Sequence, residues 1–169
     1  MKPLAEQVFL GEIVFQSKIA LLSANHLFST HLHEDAYEAW RSIQSLLVSA
    51  GNISKILWPA KIYAARGKHL RELLKVGENN LLSDRKIRNH FEHYDERIEE
   101  WFEKPSSSVY QDWAFDSFPP VWGPKLNTRH RVYDPVTGVL TFRGKSIELV
   151  EVAKAIKDIQ TKCRRFALV

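Results

Sequence analysis

The segment SDRKIRNHFEHYDERIEEW, residues 83–101, sets two arginine–histidine frames side by side: Arg85 with His90, and Arg88 with His93. The chemistry these residue types support is phosphate chemistry. Arginine is a permanent cation that grips a phosphate with two parallel N–H donors. Histidine titrates near neutrality and can move the proton of a ribose 2′-OH or of a leaving oxygen. Asn89 can hydrogen-bond to an imidazole one helical turn on. A helix starting at Ser83 or Asp84 adds the positive end of its dipole close to Arg88. The frames alone carry little weight, because eleven arginines and seven histidines in 169 residues yield about one such pair by chance. Nor does the spacing resemble a metal site: arginine is no ligand, and no second carboxylate–histidine pair follows.

Geometry separates the two frames. On a helical wheel with Ile87 at zero, Ile87, Phe91, Tyr94, Ile98, Trp101 and Phe102 fall within about 60° of one line, predicting an amphipathic helix from the Ser83/Asp84 cap to Pro105. His90, at about 300°, sits on the shoulder of that apolar stripe, where a packed edge histidine is the ordinary reading. His93 at about 240°, Asn89 at about 200° and Arg88 at about 100° project away from it. Arg88 and His93 flank Glu92 and Glu96 and are about 140° apart, so one helix cannot close them on one phosphate. A second copy facing the first across a two-fold axis places one chain's arginine near the other's histidine.

The elements that must carry this segment are mostly helical. Residues 4–28 read as a helix, with Leu4, Val8, Ile13, Phe15, Ile19 and Leu22 spread around it, so most of its circumference is expected to be buried. Asp35 caps a second helix carrying Ala36, Trp40, Ile43, Leu47 and Ala50; Gly51-Asn52 kinks or ends it, and a continuation stops near Pro59. Residues 61–76 form a third, basic helix with Gly77 past its end. Residues 104–128 break every periodicity, yet Val109, Tyr110, Trp113, Phe115, Phe118, Val121 and Trp122 need a dry surface, so an ordered strap over the helices is expected. Runs at Val132-Tyr133 and Val139–Phe142 flank Asp134–Gly138 as a β-hairpin. Ser146 is expected to cap a last helix with Leu149, Val152, Ile156, Ile159 and Cys163 on one stripe. The fold class is therefore mainly α: one domain over residues 1–169, with core helices in 1–103, a loop and hairpin insertion in 104–145, and a C-terminal helix in 146–169.

Composition is that of an ordinary globular chain, 44% hydrophobic and 26% charged, with a net charge of +4 and a pI near 9.2 that permit a polyanionic partner without demanding one. The longest apolar segment, Val8 to Leu22, is interrupted by Glu12, Gln16 and Lys18, so neither a membrane span nor a signal peptide is expected. The single cysteine, Cys163, excludes an internal disulfide and a multi-thiolate metal site, and a cytoplasmic location is the simplest expectation. His31, His33 and Glu34 are read as loop residues beside the Asp35 cap rather than a metal site.

RNHFEH, Arg88 to His93, resembles the Arg–Asn–three residues–His form of the HEPN-domain signature, which members of that family carry late in an all-helical bundle. The polar residue after the arginine selects Arg88/His93 over Arg85/His90, whose second residue is Lys86. The resemblance implies a homodimer whose paired motifs form one composite site. It implies a metal-independent endoribonuclease, without cofactor, of the kind found in toxin–antitoxin, phage-defence and RNA-processing systems. Cleavage would run by 2′-OH attack and leave a 2′,3′-cyclic phosphate. Carried over, Arg88 stabilises the phosphorane, His93 acts as acid and base, and Asn89 supports them. RNA, a second copy, and an antitoxin or other partner protein are the implied partners. Arg85 and Lys86, and Arg129 and Arg131 in TRHRV, are candidate RNA-phosphate contacts, solvated basic faces being the plainer reading. Two features depart from the family pattern. Tyr94 follows His93 directly, where some family toxins have a tyrosine two positions on, and 104–145 lies outside the minimal bundle. The competing reading is a catalytically inactive HEPN-like binding or assembly module; burial of the motif in ion pairs with Glu92 or Glu96, or a monomer, would favour it.

Overall fold

The computed structural model describes residues 1–29, 35–84, 89, 91–103, 110–115 and 129–166. The described chain is mainly α. Helix α1 spans Pro3–Leu27, α2 Ala36–Leu57, α3 Ala64–Leu74, α4 Tyr94–Phe102 and α5 Leu149–Cys163. A helical turn holding Asn89, Phe91 and Glu92 precedes α4. Four short strands, β1 Ala114–Phe115, β2 Arg131–Asp134, β3 Val139–Phe142 and β4 Lys145–Glu148, form one sheet in that order.

The core is the α1–α2–α5 packing. Leu10, Ile13, Val14, Ala20 and Leu27 of α1 are buried with Ile43, Leu46, Ile53 and Leu57 of α2. Small residues let these two helices approach closely, and Ser23 Oγ donates to Ser45 Oγ at 2.9 Å across the seam. The α5 stripe Leu149, Val152, Ile156, Ile159 and Cys163 is wholly inside. Burial pushes the Cys163 thiol up to about 12, so it is a packed apolar group and not a nucleophile. Asp35 Oδ1 caps α2, accepting from Tyr37 N at 2.9 Å and Glu38 N at 3.2 Å.

Four expectations are corrected. First, α1 is not buried around its circumference: Leu4, Val8, Phe15 and Leu22 are 56–78% exposed. They fall within about 20° of one line, with exposed Met1 just before the helix, a separate stripe that no described residue covers. By length and composition α1 is also the one described helix apolar enough to cross a membrane; a third of that window is buried inside the protein. Second, α2 runs unbroken through Gly51-Asn52, where Gly51 is buried and Asn52 Nδ2 donates to Gln16 Oε1 of α1 at 3.3 Å. Third, the basic helix begins as a tight 3₁₀ turn at Lys61–Tyr63 and ends at Lys75, which takes the left-handed cap (φ +50) expected of Gly77. Gly67 matters instead: a Cβ there would strike Pro59 Cδ and come within 2.7 Å of Leu57 O, where α3 crosses the end of α2. Fourth, Ser146 caps no helix. It lies in β4, its hydroxyl 2.8 Å from Thr141 Oγ1 across the β3–β4 pair, and α5 starts at Leu149.

The sheet is likewise wider than one hairpin. β2 and β3 pair antiparallel, Arg131 with Phe142 through Asp134 with Val139. Asp134 organises their turn, accepting from Val136 N and from the Thr137 hydroxyl, and Gly138 supplies the positive φ. β4 is added through a two-residue turn with both φ values positive, Arg143 (+49) and Gly144 (+78). β1 joins β2 in parallel, Ala114 with Val132 and Phe115 with Tyr133, and so straps residues 110–115 to the sheet.

Candidate functional site

The sheet positions the motif helix. Trp101, buried on α4, packs edge-on against Tyr110 and His130 at 5.8 and 5.7 Å. His130 in turn meets Phe142 of β3 at 4.8 Å, and Phe91 meets Phe142 at 5.6 Å. Arg143 of the β3–β4 turn donates to Glu100 Oε2 at 2.6 Å, and Arg97 pairs with the same carboxylate. The hydrogen bond from Arg143, aided by both guanidinium charges, holds the Glu100 carboxyl below its ordinary range. On the other side, Lys55 of α2 pairs with Glu92.

The predicted continuous helix breaks at His93. That residue has φ −117° and ψ +42°, outside the helical well, and α4 begins after it. Its backbone stays in the ladder: His93 N donates to Asn89 O at 3.1 Å and Arg97 N to His93 O at 3.2 Å. The break rotates α4 relative to the turn before it, so the six-residue apolar stripe is not one buried face. Trp101 is buried and Phe91 and Ile98 are half-buried, but Tyr94 and Phe102 are 51% and 58% exposed. Tyr94 therefore does not sit in the core, as the wheel predicted.

The break presents His93 at the surface. Its side chain is half exposed, and Nδ1 lies 3.0 Å from Glu96 Oε1. With Nδ1–H donating to that carboxylate, the neutral ring keeps its Nε2 lone pair for an incoming proton. Glu96 fixes the orientation of the ring, so the pair has the form of a general base with its orienting carboxylate. Sequence reasoning gave the orienting role to Asn89 and saw Glu96 only as a competing ion partner. The i, i+3 spacing from His93 to Glu96 was the signal for it. Asn89 shares the turn and is exposed.

The remaining predicted residues fare differently. Arg85, Lys86, Arg88 and His90 lie outside the described residues, as do His31, His33 and Glu34. Arg129 is buried beside Gln111, and Arg131 gives its Nε and Nη2 to Asp112 at 2.8 and 2.6 Å. Neither belongs to an open basic face; both build the sheet side of the molecule. Among the described residues no three His, Cys, Asp or Glu side chains gather closely enough to hold a metal ion.

Asp112 is the hub that sequence reasoning missed. Besides the Arg131 fork it accepts from the Tyr110 hydroxyl at 3.1 Å and from Trp113 N at 2.8 Å. Burial alone would raise its carboxyl; the bonds and charge of Arg131, with those from Trp113 and Tyr110, reverse this and hold it low. Burial, with the Asp112 charge, pushes the Tyr110 hydroxyl up to about 12. Compared with known protein families, curated proteins and solved structures, the chain matches none.

Proposed function

We propose that this chain is a HEPN-type, metal-independent endoribonuclease, working in the cytoplasm as a homodimer with a composite site, in a toxin or phage-defence role. The observation that carries the reading is His93: half exposed at a helix break, with Nδ1 held by Glu96. Its hydrogen bond with Glu96 is open to solvent rather than buried, which favours catalysis over a silent binding module.

In the reaction, a base on one side of the scissile phosphate removes the 2′-OH proton, the 2′-oxygen bonds to phosphorus, and the P–O5′ bond breaks. The departing 5′-oxygen takes a proton from an acid on the other side. His93 residues of two facing chains fill these two roles, and Arg88 from each chain balances the negative charge gathering on the phosphorane oxygens. The products are a 2′,3′-cyclic phosphate and a 5′-OH.

The exposed α1 stripe supports a second copy. In an antiparallel pairing centred level with Ile13, Leu4 faces Leu22 and the bulk of Phe15 faces the notch at Gly11, so the stripe complements itself. Five such side chains expose on the order of 500 Å², at the upper range for a monomer's largest patch. Two copies would bury on the order of 1,000 Å², the size of a small specific interface.

Mixing active and inactive chains tests the composite site. When wild-type and His93→Ala chains are mixed in equal amounts and allowed to exchange, only about a quarter of the dimers carry both histidines, so cleavage should fall to about half of that given by the wild-type chains alone. Phe15→Glu in every chain should abolish cleavage and leave a monomer in sedimentation. Cleavage unchanged by added His93→Ala chains that are shown to exchange would exclude a shared site.

A further inference from the structure

We propose that the groove between the N-terminal half of α2 and the 110–115 strap binds a nucleobase by stacking, and so seats an RNA strand beside the motif turn; this rests on the ribonuclease reading. The groove encloses about 780 Å³ and is walled by Tyr37, Trp40, Phe91 and Trp113, with Gln44 and Arg131 at its polar edge. Its volume falls in the range of small-ligand sites.

Trp113 makes the groove unusual. Its φ of +55° is the left-handed region, costly for a bulky residue, and the residue is 54% exposed. The surroundings impose that conformation. Trp113 N donates to Asp112 Oδ1, and Trp113 O accepts from Trp40 Nε1 at 3.1 Å. Strain held in place by a built network, with the aromatic face left toward a cavity, points to a ligand. The Arg131 guanidinium, fixed by its Asp112 fork, lies 5.7 Å from the Trp113 ring and 6.0 Å from the Trp40 ring. Asp112 neutralises that charge and Glu38 pairs with Arg41, the other cation lining the groove, so the groove favours a flat ring over a bare phosphate. Gln44, exposed, offers an amide donor and acceptor to a base edge. Stacking on aromatic side chains is how proteins hold single strands without reading their sequence. Phe91 lies on the same turn as Asn89 and two residues before His93, so the groove adjoins the candidate site.

The shared chemistry is an exposed base, on a strand or on a free nucleotide. The probes are a fluorescein-labelled, 2′-O-methyl single-stranded octamer, the same octamer with abasic residues, and adenosine or uridine monophosphate as competitors. The base-containing octamer should bind wild-type protein and the abasic one much more weakly. Trp113→Ala should weaken binding roughly 5- to 150-fold, and Trp113→Phe should keep most of it. Displacement at micromolar monophosphate assigns the groove to free nucleotides; displacement only by strands assigns it to RNA. Equal binding by Trp113→Ala, equal binding of the abasic octamer, or no binding at all overturns the proposal, as does Trp113-dependent self-association without base binding. The blocked 2′-OH removes cleavage from the readout: Trp113-dependent binding by a protein that cuts nothing would reject the ribonuclease and keep the groove. Cleavage without Trp113 dependence would do the reverse.

Discussion

His93→Ala is expected to lower RNA cleavage by about 10²–10⁴-fold, the usual contribution of a positioned proton-transfer group. The fold should survive. The side chain is half exposed and its hydrogen-bond partner, Glu96, is more so, which places the change among surface substitutions within about 0.5 kcal/mol. Thermal unfolding should then shift by no more than about 2 °C while cleavage disappears. Glu96→Gln separates positioning from chemistry. It keeps an acceptor for Nδ1–H and so keeps the ring oriented, and the rate should fall less than in His93→Ala. A His93→Ala enzyme cutting at the wild-type rate would remove His93 from the mechanism.

The largest stability effect is expected at Asp112. Its carboxylate and the Arg131 guanidinium are 12% and 14% exposed, and four bonds converge on Asp112. Asp112→Ala leaves a nearly buried cation without its counter-charge, at a cost of about 3–5 kcal/mol. Denaturant unfolding measures it directly, and a double change to Asp112→Leu with Arg131→Met should recover much of the loss. The pH dependence has a definite sign. Because Asp112 is held below its ordinary value when folded, its stabilisation is present above the unfolded value, near pH 4, and is lost as pH falls toward the folded value. Wild-type stability should therefore decline with acid below about pH 4, and Asp112→Asn should decline less steeply there. Asp112 and Arg131 are 19 residues apart across a stretch without periodicity, so no pattern in the sequence joins them.

Much of the helical frame was legible because burial imposes a period. The stripe Leu149, Val152, Ile156, Ile159 and Cys163 and the Asp35 cap each read directly from spacing and side-chain chemistry. α1 was misjudged because its apolar residues point both inward and outward; spacing alone cannot tell a core face from a stripe left for something else. Tyr94 was misplaced because a wheel assumes a constant turn angle, and His93 breaks it. That break lies between two tertiary contacts that a wheel cannot show, Trp101 beside Tyr110 and His130, and Glu92 tied to Lys55. The motif was legible as residue types, while the partner of its histidine and the exposure of its site were not. The groove depends on Trp40 and Trp113, 73 residues apart, which only the strap brings together.

The central claim, metal-independent cleavage through a 2′-OH at His93, is tested most directly by incubating the purified protein with end-labelled RNA in EDTA and resolving the product ends. Fragments with 2′,3′-cyclic phosphate and 5′-OH ends are expected from the wild type, none from His93→Ala, and none when the RNA carries 2′-O-methyl groups. Intact RNA with the wild-type dimer, or equal cutting by His93→Ala, would contradict it.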